Sequence, residues 1–150
     1  MLRLTKRYPF SASHRLHTGK LSEEENQRLF GKCNNPYGHG HNYTLEVSVE
    51  GEADEQSGMI LERPALDRVV QRAVLSKIEH RDLNSDVDEF RDVVPTTENL
   101  ALLIDQWLRM EWRREFAGRP ILLSRIRVEE TARNSFEVTN GTHDAQFTRH

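Results

Sequence analysis

The sequence predicts an α+β domain, an antiparallel sheet with helices packed on one face. Three observations predict it. Two segments near the N-terminus and two near the C-terminus alternate apolar and polar residues with period two. Two segments between them repeat apolar residues at helical spacing. The order is therefore strand, strand, helix, helix, strand, strand, and strands segregated from helices in this way favour α+β.

Residues 2–16 read as the first strand. Leu2, Leu4, Tyr8, Phe10, Ala12, His14 and Leu16 share one face, with Lys6 the exception. Pro9 cannot donate to a ladder and places this strand at an edge or a bulge. Ser22 to Glu25 resembles a capping box that opens a short helix to Phe30, and Gly31 stops it. Cys33 to Gly38 is turn-rich loop. From His39 to Glu50 the alternation is almost faultless, with His39, His41, Tyr43, Leu45, Val47 and Val49 on one side. That is the signature of a half-buried antiparallel strand. Gly51 to Ser57 is a polar connection.

Pro64 to Ile78 carries helical spacing through Leu66, Val69, Val70, Ala73, Val74 and Ile78, with Pro64 suited to the first turn. Thr96 or Thr97 caps a second long helix whose apolar face holds Leu100, Leu103, Ile104, Trp107, Leu108 and Trp112. Ile121 to Glu130 reads as a strand with Leu122, Ile126, Val128 and Glu130 on one face and Glu129 turned away. A last strand surrounds Phe136 and Val138. Residues 1–138 form one domain, and residues 139–150 read as a polar tail.

Composition narrows the function classes. The chain has 150 residues, a length at which about 70% of the unfolded surface is buried without staples. Its 24 acidic and 21 basic residues give a net charge of −3, which argues against a nucleic-acid or anionic-membrane partner. No apolar run approaches the ~20 residues of a membrane span, and the first ten residues read as strand rather than leader. The expected compartment is the cytoplasm. A single cysteine, Cys33, excludes an internal disulfide and leaves an inert thiol or a reactive one.

The sharpest local signal is Cys33-x5-His39-Gly40-His41. Residues i and i+2 of a strand project from one face, so the two imidazoles can converge on one ion, with Gly40 leaving room for close approach. His14 shares the apolar face of the first strand. Three imidazoles and an open position suit a catalytic zinc better than magnesium or calcium. Taken alone, His-x-His on a strand also reads as two polar residues near a sheet end. His17, His143 and His150 lack such placement and read as surface residues. Cys33 has polar neighbours, and near a zinc ion or a histidine its thiolate would be favoured as a base. Glu79-His80 reads either as a proton relay or as a helix C-terminus with a dipole-favoured histidine. Glu130, on an inner face, needs donors, and an amidine-like ring edge would supply two. Glu98, in the first helical turn, reads as a dipole-favoured acid.

Together these pieces resemble the 6-pyruvoyl-tetrahydropterin synthase family. The matching stretches are Phe10 to Leu16, Leu29 to Tyr43, Gly58 to Leu61, Glu79 to Asn84, Pro95 to Ala101 and Val128 to Thr131. The resemblance implies the tunnelling fold, a four-stranded antiparallel sheet with two long helices on one face. It implies trimers closed into a barrel and stacked as a homohexamer, with sites between subunits. It implies Zn2+ on His14, His39 and His41, 7,8-dihydroneopterin triphosphate as substrate and Cys33 as proton acceptor. His80 from a neighbouring subunit, backed by Glu79, would complete the relay. Glu130 would grip the pterin, with Thr97 and Glu98 nearby. The family usually has Asp where Glu79 stands, often Asp or Asn where Glu62 stands, and in animal members an aromatic residue where Glu129 stands.

Three other functions compete. A 6-carboxytetrahydropterin synthase would use the same substrate and release acetaldehyde as well, but that group typically has three residues between the cysteine and His-x-His, against five here. A non-catalytic pterin- or purine-binding module would be expected to lose Cys33 or a zinc ligand. A zinc hydrolase of the cyclohydrolase type would open the ring with metal-bound water, which this cysteine spacing does not favour.

Overall fold

The computed structural model describes residues 1–139. Its strands are β1 (Leu2–His14), β2 (His39–Gly51), β3 (Arg81–Asp82), β4 (Leu122–Thr131) and β5 (Asn134–Thr139). Its helices are α1 (Glu23–Phe30), α2, which runs through Arg63–Val70, a π-helical turn Gln71–Leu75 and Ser76–Ile78, then α3 (Leu83–Asp86) and α4 (Thr97–Glu115). A 3-10 turn, Gly31–Asn34, carries Cys33.

The sheet order is β3-β1-β2-β4-β5. This corrects the four-stranded antiparallel expectation: the sheet has five strands and is mixed, because β3 pairs with Ala12 and Ser13 of β1 in parallel. Two residues are too few to show a period in sequence. β1 and β2 pair without interruption from Leu2↔Gly51 to His14↔His39. Around Pro9 only β2 flanks β1, which is the edge placement that a missing N–H allows.

β1 stops at His14, two residues before the alternation does. The Arg15 N–H goes to Asn84 Oδ1 and the Leu16 N–H to the Cys33 carbonyl, so the backbone there is committed elsewhere. Leu122 is a second correction. It is exposed, and Leu123 is buried instead. Ser48 pairs with Arg125 and Val49 with Leu123, so Ser124 is an extra residue that flips the parity of the strand. Past this bulge Ile126, Val128 and Glu130 share the inner face as expected.

The inner face of the sheet packs on α2 and α4. Leu45, Val47, Leu66, Val69, Leu100, Ile104, Leu108 and Ile126 are wholly buried there. Burial of each such side chain is worth about 1.5–3 kcal/mol. Lys6 breaks the apolar pattern of that face without leaving a charge unpaired: Asp67 of α2 accepts from Lys6 Nζ at 2.6 Å and from the Tyr8 hydroxyl at 2.8 Å. The outer face is a charged ladder in which Arg7, Arg125 and Arg127 surround Glu46. Thr96 caps α4 by accepting the Asn99 N–H at 3.2 Å. β5 runs to Thr139, one residue into the segment read as tail, and residues 140–150, with His143 and His150, lie outside the described residues.

Candidate metal and substrate site

β1 and β2 place His14 directly opposite His39, with His41 one same-face step along β2. The three rings stand edge to face, their centroids 4.6–5.0 Å apart. His14 is wholly buried, and its Nδ1 lies 2.9 Å from the Pro95 carbonyl. A carbonyl can only accept, so Nδ1 carries the proton and Nε2 presents a lone pair. That Nε2 is shut off from water and meets no protein partner. Leaving a buried acceptor unpaired costs about 1–3 kcal/mol, a penalty that a cation would remove. A carbonyl holding the far nitrogen of a histidine is also how metal-ligating imidazoles are usually oriented.

His39 Nε2 and His41 Nε2 face each other at 2.8 Å. Two ring nitrogens at this distance share one proton between them, and a cation can take that proton's place. Burial pushes His14 and His41 below the ordinary imidazole value, which keeps them neutral and able to ligate. Two donor sets, His14 with Cys33 and His39, and His14 with His41 and Glu130, each have their donor atoms within 4.8 Å of one another. The two sets share His14 and are joined by the His39–His41 contact, with Cys33 in one set and Glu130 in the other. The residues present fit a metal ion.

Glu130 lies 3.4 Å from His41 Nε2 and is largely buried. Glu129 turns to the outer face, where it meets Arg127 and Arg7. The Cys33 thiol is half-buried, and burial followed by the negative charge of Glu130 pushes it up. The expected thiolate is therefore not the resting form in the absence of a cation. Tyr43, stacked on Phe10, has a buried hydroxyl beneath this cluster. Burial and then Glu130 push it up, and Thr97 lies beside it with its own hydroxyl buried.

Two cavities open here. One of about 710 Å³ is lined by Cys33, His39, Gly40 and His41, with Gln27 and Lys32 on its wall. The second, about 570 Å³, is lined by Gly40, His41, His80, Arg81 and Asp82. A Cβ on Gly40 would meet Ala12 at an ordinary 3.8 Å, so its missing side chain opens the cavities rather than bringing the strands closer. Glu98 is exposed on α4 and lines neither cavity.

His80 and Cys33 line different cavities. His80 has φ 57°, a left-handed backbone that costs a non-glycine residue about 1–2 kcal/mol. Its N–H is held by the Ser11 carbonyl at 2.7 Å, and its Nε2 lies 2.9 Å from Glu79 Oε1. The longer acid therefore still reaches the ring.

Sequence reasoning missed the orienting carbonyl of Pro95, since a backbone group leaves no side-chain signal. It missed Gln27 and Lys32 as lining residues for want of any periodic pattern. It also read His17 as a surface residue. His17 is half-buried, and its Nδ1 lies 3.1 Å from the Asn34 amide.

The family profile of 6-pyruvoyl tetrahydropterin synthase matches residues 3–141. The chain belongs to this family. The 6-pyruvoyl tetrahydrobiopterin synthase of Drosophila melanogaster is 41% identical over 131 residues, 87% of this chain and 75% of the fly protein. The Homo sapiens enzyme of the same name is 50% identical over 101 residues, 67% of this chain and 70% of the human protein. The solved Caenorhabditis elegans 6-pyruvoyl tetrahydropterin synthase superposes with a TM-score of 0.82 at 36% identity, covering 93% of this chain and 96% of the worm chain. Among the described residues, no helix is long and apolar enough to cross a membrane.

Proposed function

We propose that this chain is a lyase that converts 7,8-dihydroneopterin triphosphate to 6-pyruvoyl-tetrahydropterin with release of triphosphate. The observation that carries the reading is Cys33 beside a cluster of three imidazoles, with Glu130 close to His41, in a chain of this family. His14, His39 and His41 hold Zn2+, because three neutral nitrogen donors suit a zinc with one open position. When bound, the ion supplies Lewis acidity toward a substrate oxygen.

Glu130 accepts from the N–H edge of the pterin, which draws off the field that keeps Cys33 protonated. Cys33 takes a proton from the side-chain carbon next to a hydroxyl. The carbon–oxygen bond to triphosphate breaks, and both side-chain hydroxyl carbons end as ketones. The electron pair lost at the ring-side carbon reduces the ring from the dihydro to the tetrahydro level. The pair lost at the other stays in the side chain, where the carbon that releases triphosphate ends as a methyl group, so no external redox cofactor enters. His80, held by Glu79, passes protons. Thr97 and Glu98 flank the substrate, and Glu98 does so from the outer surface of α4.

Assembly follows from the sheet. Among the described residues, β5 and most of β1 are open edges at opposite ends of the sheet, which supports head-to-tail closure of copies into a barrel, two of which stack as a homohexamer. His80 then reaches the Cys33 of a neighbouring copy.

Product analysis of the zinc-loaded protein with 7,8-dihydroneopterin triphosphate tests the reading. A 6-pyruvoyl product without acetaldehyde is expected. A 6-carboxy product with acetaldehyde would replace it with the sister activity, and an absence of turnover would favour a binding module.

A further inference from the structure

We propose that Asn34 is a positioning residue that sets Cys33 against His14. The inference rests on the reading of Cys33 as proton acceptor. Cys33 sits in a four-residue 3-10 turn, a form too short and too poorly bonded to hold a side chain in place by itself. The turn opens on Gly31 and the loop after it ends at Gly38, both at positive φ. Its position must therefore come from outside.

The segment that leaves β1 after His14 supplies it. The Leu16 N–H donates to the carbonyl of Cys33 itself at 2.7 Å. The Asn34 amide donates to the Leu16 carbonyl at 2.9 Å and lies 3.1 Å from His17 Nδ1. Arg15 Nε donates to the Asn34 carbonyl at 3.1 Å. Three of these four links pass through Asn34, which is only 7% exposed. The residues two and three beyond His14 are thus bonded to Cys33 and its next neighbour. The Asn34 side chain grips both, and its near-complete burial leaves little room for water to compete for the amide.

The chain has one cysteine, so a thiol label reads Cys33 alone. The test uses full-length, zinc-loaded Asn34→Asp, which keeps the size and removes both donors, beside Asn34→Ala. Zinc stoichiometry is expected to stay at the wild-type value. We expect kcat to fall about 10- to 100-fold, the scale of an ångström-sized misplacement. KM should move less than about threefold, since the groups proposed to bind substrate, Glu130 on β4 and Thr97 and Glu98 on α4, lie outside the turn that carries Asn34. The iodoacetamide labelling rate of Cys33 should change in both variants.

Wild-type kcat and labelling in both variants would overturn the proposal. So would a lower kcat with unchanged labelling, or loss of zinc, which would place the effect on the metal cluster. The parent reading is judged separately by Cys33→Ala: if that variant turns over at the wild-type rate, Cys33 is not the proton acceptor, whatever Asn34 does.

Discussion

His14 gives its Nδ1 proton to the Pro95 carbonyl and leaves Nε2 bare in a place that water does not reach. His39 and His41 share a 2.8 Å contact between their own Nε2 atoms. These are three lone-pair sites with one proton among the last two, and a cation resolves all of them. Cys33 and Glu130 flank the cluster and belong to alternative donor sets. Replacing His41 by Ala separates the sets. If the imidazoles are the ligands, the variant loses stoichiometric zinc by metal analysis while Cys33→Ala keeps it. Zinc retained in His41→Ala and lost in Cys33→Ala would put the thiolate in the coordination shell. The imidazole trio was legible in sequence because β-strand parity is a strong constraint, and His14, His39 and His41 each obey it. The Pro95 carbonyl was not legible, since it reaches His14 across 81 positions of chain through a backbone atom.

At the scale of elements, Gly38 and the salt-linked Lys6 show how the sheet and its neighbours are joined. Gly38 has φ 70°, and a Cβ there would stand 3.0 Å from the His14 carbonyl oxygen. Neither the conformation nor the backbone contact can yield cheaply. Gly38→Ala should therefore destabilise the protein by about 1–3 kcal/mol, the cost of a strained residue. It should also weaken zinc binding if His14 is a ligand as proposed, because the displaced group is the backbone of His14 itself. A melting temperature and zinc affinity equal to wild type would show that the 31–38 segment does not press on β1. On α2, the carboxyl of Asp67 is held below its usual value, chiefly by the Lys6 hydrogen bond and then by Tyr8, against an opposing effect of burial. A lowered folded-state value stabilises above the unfolded pKa of about 3.9 and is lost as pH falls through the folded value. The Asp67 side chain is 45% exposed, so solvent screens most of this effect. The melting-temperature gap between wild type and Asp67→Asn should be small near neutrality and should shrink away as the pH falls below the ordinary carboxylate range. A gap that widened in acid would reverse the assignment. The long strands and both long helices were readable from their periods. The two-residue β3 and the extra Ser124 were not, because a period needs more than two residues and a bulge is what breaks one.

At the scale of the whole molecule, the proposed relay does not close within one chain. Cys33 and His80 line separate cavities that share only Gly40 and His41, and the His80 side chain is 78% exposed. A strained, exposed histidine fixed by Ser11 and Glu79 is well placed to serve a neighbour. Among the described residues the sheet also ends in open edges on both sides, β5 at one end and β1 beyond the reach of β3 at the other. Co-expression of differently tagged Cys33→Ala and His80→Ala chains distinguishes the two arrangements. Each variant alone is expected to be nearly inactive. If Cys33 of one copy works with His80 of the next, random mixing leaves about one interface in four with both residues intact, and doubly purified oligomers recover about a quarter of wild-type activity. If both residues act within one chain, every chain in the mixture lacks one of them and no activity returns. Recovery therefore requires assembly and a shared site together, and inactive mixed oligomers would confine the relay to a single subunit.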